Sequence, residues 1–132
     1  MMNEQQLEDL CIAWFQETGW QFVHGPEIAP DGASPERADY RQVILHDRLL
    51  AALGRINLHI PIAALEQAVH IVQTISEPQA VVRNRSFHRL LLSGVAVEFS
   101  VGDEKKTDLV NLIDFANPQR NEFLVINQFT VT

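Results

Sequence analysis

The hydrophobic pattern of this chain changes period once, at Gly94, and that change limits what it can fold into. Before it, apolar residues recur three or four apart, the repeat of a helix face. After it, Val95, Val97, Phe99 and Val101 alternate with Ala96, Glu98 and Ser100, the repeat of a half-buried strand. Helices therefore come first and strands second, in a chain of 132 residues that suits one compact domain. The expectation is an α/β fold with N-terminal helices followed by a mixed, partly antiparallel sheet.

Spacing predicts a first helix over 4–18, with Leu7, Leu10, Cys11, Trp14 and Phe15 on its apolar face, Asn3 as its cap and Gly19 closing it. Trp20, Phe22 and Val23 suggest a short extended segment. Residues 24–36, with three prolines and two glycines, predict a loop. Ser34-Pro35-Glu36-Arg37 has the order of a helix start, which predicts a helix to about Leu53, ended by Gly54. Ile60-Pro61 opens another to about Ile75, with Ile62, Leu65, Val69, Val72 and Ile75 inward. Asn84 is the expected cap of a fourth, which stops at Gly94. The expected strands cover 95–101, 107–115 (apolar on both faces, hence central) and 122–131, with turns at Gly102 to Lys105 and at Asn117-Pro118. The chain stops directly after a strong strand, which suggests a segment of a longer protein.

The net charge of −7 sits entirely in residues 1–40, where Glu4, Glu8, Asp9, Glu17, Glu27, Asp31, Glu36 and Asp39 face Arg37 alone. Such a chain lacks the broad basic surface of a nucleic-acid binder, so any DNA role must rest on local patches. No apolar run approaches the roughly 20 residues of a membrane span. The N-terminus has no basic and then apolar leader. The single cysteine, Cys11, excludes an internal disulfide and any multi-cysteine zinc site. A soluble, cytoplasmic domain is the expectation.

Glu104-Lys105-Lys106 has the letters Glu-x-Lys of metal-dependent nucleases, in which carboxylates hold a divalent ion and a lysine stabilises developing charge. It falls in an expected hairpin turn with no strand-end aspartate before it, and reads as a solvated turn. Asp114 follows Leu112 and Ile113 and, if buried, needs a partner or a metal; capping the Asn117-Pro118 turn is its simpler role. Asn127 and Gln128 more simply satisfy a neighbouring strand or loop than a ligand. Arg83, Arg85, His88 and Arg89 form the local basic cluster, and its arginines are candidates for DNA or partner contact, against the plainer reading of a solvated helix face. Arg37, Asp39, Tyr40 and Arg41 are a second polar group, whose salt bridges could seat the long loop. The histidines lack metal-ligand spacing, Cys11 reads as a core filler, and no nucleophile elbow, phosphate loop or dinucleotide fingerprint occurs. These residues compose no complete active site.

Their order is nonetheless distinctive. Gly19-Trp20 is followed by Arg37-x-Asp39-Tyr40-Arg41-x-Val43-x-Leu45, by Leu53-x-x-Ile56-Asn57 and by Asn84-x-x-Phe87-His88-x-Leu90-Leu91-x-x-Gly94-Val95-x-Val97. Leu112-Ile113-Asp114-Phe115-x-Asn117-Pro118-x-x-Asn121-x-Phe123-Leu124-Val125-x-Asn127-Gln128-Phe129 closes the series. From about Leu7 to Thr132 the set resembles the N-terminal region of the restriction (R, or HsdR) subunit of type I restriction–modification enzymes. The resemblance implies the front part of a PD-(D/E)xK restriction-endonuclease-like domain, so that residues 1–132 are the N-terminal portion of a single endonuclease domain. It implies a parent that cleaves double-stranded DNA with Mg2+ and ATP-driven translocation, beside methyltransferase and specificity subunits. In that family the metal-binding Asp and Glu-x-Lys follow the segment matching Asn121 to Thr132. No catalytic residue is then expected within this chain, nor a cofactor for it alone. Glu8, on the first helix, is the candidate for a metal-directed carboxylate. The alternative is a non-catalytic protein-interaction or DNA-binding module that shares the fold front.

Overall fold

Asn3 starts the first helix by a reciprocal cap: its Oδ1 accepts from the Gln6 amide at 2.8 Å while its own amide donates to Gln6 Oε1 at 2.9 Å. Helix α1 (Glu4–Glu17) then leads through Gly19 into strand β1 (Gln21–His24) and a single helical turn, α2 (Gly25–Ile28). The computed structural model describes residues 1–132 and divides them into two compact units. Met1–Leu45 and Glu122–Thr132 form the first; His46–Asn121 form the second.

In the first unit, β1 pairs in parallel with β4 (Leu124–Asn127), in a register that sets Gln21 beside Leu124 and His24 beside Asn127. Two parallel strands are not stable alone, and α1 packs on both. Phe15, Trp20 and Phe123 fasten the three elements together, with ring centroids 5.2 and 5.3 Å apart in successive pairs. The apolar face expected on α1 is real but only partly covered, since Leu7, Trp14 and Phe15 remain exposed.

In the second unit α3 (His46–Ile56) packs on α4 (Ile62–Gln73), and α4 packs on β2 (Val95–Val101) of the antiparallel hairpin that β2 forms with β3 (Glu104–Val110). Leu53, Ala64, Leu65, Ala68, Val69 and Val72 meet Val95, Val97 and Val110 in its core. Asn57 is 1% exposed in that core. Its Nδ2 donates to the Leu53 and Asn111 carbonyls at 3.0 and 2.9 Å, and its Oδ1 accepts from the Asn111 amide at 2.9 Å. One side chain thus joins the end of α3 to the end of β3. Helix α5 (Ala80–Ser93) buries none of its residues and passes into β2 through Gly94, at φ 82°, where a side chain would crowd the Val110 carbonyl. No helix is long and apolar enough to cross a membrane.

Several expectations are corrected. Residues 37–45 are not helical, because Asp39 Oδ1 takes the Arg41 and Gln42 amides at 2.8 and 3.1 Å and closes a local turn instead. Gly54 lies inside α3, Asn84 inside α5, and Ile62 is exposed rather than inward. Residues 24–36 are not wholly loop, since α2 forms there. Glu104 and Lys105 belong to β3 rather than to the turn. The expected central strand 107–115 ends at Val110, pairs only with β2, and gives way to bends, and β4 is shorter than 122–131. The chain holds helices and both strand orientations as expected, but in two separate two-stranded sheets rather than one.

Replacing Asn57 by alanine removes three hydrogen bonds and strands buried backbone groups. It should lower unfolding free energy by about 2–4 kcal/mol, while the exposed Leu58→Ala changes it by less than about 0.5 kcal/mol. Urea unfolding of both variants checks this.

Candidate functional site

Where β4 ends, the chain comes so close to α2 that a Cβ on Gly25 would meet the carbonyl oxygens of Asn127 and Gln128. The Gly25 amide donates to Asn127 Oδ1 at 3.2 Å, which fixes that atom as an acceptor; His24 Nδ1, 2.8 Å from it, must then carry the hydrogen. Asn127 therefore satisfies a neighbouring strand end, as its sequence context suggests. Gln128 next adopts φ 48°, the chain's one positive φ outside glycine.

That turn brings Phe129 beneath Arg37. The guanidinium carbon lies 3.9 Å from the Phe129 ring centroid and 5.6 Å from that of Tyr40. Its Nε donates to the Gln42 carbonyl at 2.8 Å and its Nη2 to the Tyr40 carbonyl at 3.0 Å. Arg37 seats its loop through carbonyls and rings, not through salt bridges. The Tyr40 hydroxyl donates to Asp31 Oδ1 at 2.6 Å. The hydrogen bond to Asp31 raises the Tyr40 pKa above its ordinary value of 10.0; burial and the Asp31 charge add to this, and the Arg37 charge opposes it. Asp31, Arg37, Tyr40, Gln128 and Thr130 line one cleft of about 310 Å³.

The residues singled out from sequence fall elsewhere. Glu8 is half-buried on α1 and accepts from Gln5 Nε2 at 3.1 Å. No three His, Cys, Asp or Glu side chains converge, so residues 1–132 hold no complete divalent-metal centre by themselves. On α5, Arg85, His88 and Arg89 share an exposed face at helical spacing, whereas Arg83 donates through Nη1 to the Glu77 and Pro78 carbonyls at 3.0 and 3.1 Å. The helix thus separates Arg83 from the other two arginines. Asp114 is structural: it accepts the Asn117 amide at 2.8 Å, and the Asn121 side chain bonds its backbone from both sides at 2.8 and 2.9 Å. Glu104, Lys105 and Lys106 are exposed along β3, a solvated ribbon. The Arg37 cleft was half legible: the polar group at 37–41 stands out, but the contribution of residues 128–130 has no local sign.

A model of the family described as "Type I restriction enzyme R protein N terminus" matches residues 1–132. The chain belongs to that family. It is 37% identical over 131 residues to a putative type I restriction enzyme MjaIXP endonuclease subunit of Methanocaldococcus jannaschii, covering 98% of this chain and 12% of that protein. It is 30% identical over 131 residues to the type I restriction enzyme HindI endonuclease subunit of Haemophilus influenzae, covering 99% of this chain and 12% of that protein. This family member therefore spans about an eighth of the length of the curated relatives it matches. No solved structure matches it.

Tyr40 is the family member's single tyrosine, so its ionisation can be followed by phenolate absorbance without overlap. Its midpoint should lie above the ordinary value of 10.0, and Asp31→Ala should bring it down. An unchanged midpoint in that variant would show that Asp31 does not hold the hydroxyl.

Proposed function

We propose that this chain is the N-terminal portion of the single endonuclease domain of a type I restriction R subunit, in a PD-(D/E)xK framework. The observation that carries the reading is the family match over residues 1–132, supported by two endonuclease-subunit relatives aligned over almost the whole chain. The whole protein cleaves double-stranded DNA in the cytoplasm with Mg2+, couples cleavage to ATP-driven translocation, and works beside methyltransferase and specificity subunits. Its Asp and Glu-x-Lys belong to strands beyond Thr132. The part described by residues 1–132 supplies the sheet edge and helices that support those strands, with Glu8 as the metal-directed carboxylate of α1.

The 132-residue chain should leave supercoiled DNA intact in Mg2+ with or without ATP. Cleavage by the pure chain, lost in Glu8→Ala, would overturn the placement of the catalytic set. The gene beyond the Thr132 codon supplies the companion test. An Asp followed shortly by Glu-x-Lys supports the reading, and a stop codon favours a non-catalytic interaction module.

One observation favours a second role, direct DNA contact by α5: Arg85, His88 and Arg89 lie together on a helix that buries none of its residues. A duplex should then bind with an affinity that falls with salt, and Arg85→Ala with Arg89→Ala should flatten that dependence by a slope of about 2. Binding unchanged in the double variant removes α5 from the interface.

A further inference from the structure

Burying a guanidinium is costly unless its charge and its donors are met. Arg37 is 3% exposed, yet its contacts are carbonyl oxygens and aromatic faces rather than carboxylates. Its hydrogen bonds to Gln42 and Tyr40 use Nε and Nη2, and neither uses Nη1. A carbonyl carries only a partial charge, so the guanidinium in the wall of a cleft of about 310 Å³ has no carboxylate bonded to it, and Asp31, held by Tyr40, is the one acidic side chain in the same lining. A guanidinium in that state is a receptor for an oxyanion.

The rest of the cleft agrees. Thr130 and Gln128, whose side chains carry a hydroxyl and an amide, belong to the same lining as the cation. Gln128 is held at φ 48°, a backbone conformation that costs energy for any residue with a side chain and that recurs at binding sites. Asp31 stands exposed on the rim, its Oδ1 occupied by the Tyr40 hydroxyl. Its negative charge limits the occupant: one small anionic group reaches Arg37, whereas a polyphosphate would bring several charges against the rim.

We infer that this cleft binds a single phosphoryl group, with Arg37 as the charge that receives it and Thr130 and Gln128 as accompanying donors. The group is either free phosphate or one phosphate of a DNA strand. The site stands apart from the nuclease reading, because free phosphate alone is enough to test it.

The test is a titration of the 15N-labelled 132-residue chain with sodium phosphate, against sodium chloride at equal ionic strength, and then with a short DNA duplex. The Arg37 Nε–H signal and the Gln128 and Thr130 amides are followed. Phosphate should shift these signals saturably and chloride should not. Thr130→Val, which removes one donor from the surface of the cleft, should weaken phosphate binding about tenfold. Arg37→Gln should abolish it; where that variant does not fold, Thr130→Val carries the test alone. If the duplex moves the same signals at lower concentration than phosphate, the group belongs to DNA; if only phosphate moves them, the ligand is the free ion. Signals that stay in place with both, that move equally in chloride, or that titrate unchanged in Thr130→Val would overturn the site.

Discussion

A parallel pair of strands cannot be closed by a tight turn, because the chain must travel back to its starting end before the second strand can begin. The β1–β4 pair imposes that condition here. His24 and Asn127 lie side by side at a sequence separation of 103, and the whole unit His46–Asn121 is threaded between them in sequence. The pairing gives α1 a surface to pack on, brings Trp20 against Phe123, and delivers Gln128 to Thr130 beside Arg37 and Tyr40.

Two asparagines perform related tasks in the two units. Asn57 ties the end of α3 to the backbone at Asn111, and Asn127 ties the end of β4 to the backbone at Gly25. In each case an amide side chain satisfies groups left over where a regular element stops and no ladder continues. Asp114 and Asn121 do the same for the bends after β3, with Asn117 closing the turn. The chain thus fixes its irregular segments by specific hydrogen bonds rather than by burying more apolar surface.

Local periodicity made α1, α4 and β2 readable, because each is decided by side chains within a few residues of one another. The same rule explains the failures. Ser34-Pro35-Glu36 carries the letters of a helix start, but the Asp39 side chain captures the two amides that a helix would need. Leu112, Ile113 and Phe115 look like a two-faced strand, yet the Asp114 and Asn121 bonds bend the backbone there. The basic cluster on α5 was visible as composition, though not the division of Arg83 from Arg85 and Arg89, which depends on helix phase and on the Glu77 and Pro78 carbonyls. Arg37 was visible as a lone base among acids. Its cleft was not, because the opposite wall comes from residues about ninety positions later in the chain.

The distance in sequence between β1 and β4 also has a consequence in time. A ribosome adding roughly 5–20 residues per second needs about 5–20 seconds to pass from His24 to Asn127. During that interval β1 has no strand to pair with, and α1 carries Leu7, Trp14 and Phe15 with no finished sheet to cover. The unit His46–Asn121 has all its own contacts in continuous sequence and can fold first, as the strands of the first unit wait for one another. The nascent chain is thus most open to mispairing and to chaperone capture at its front end until Asn127 has been added.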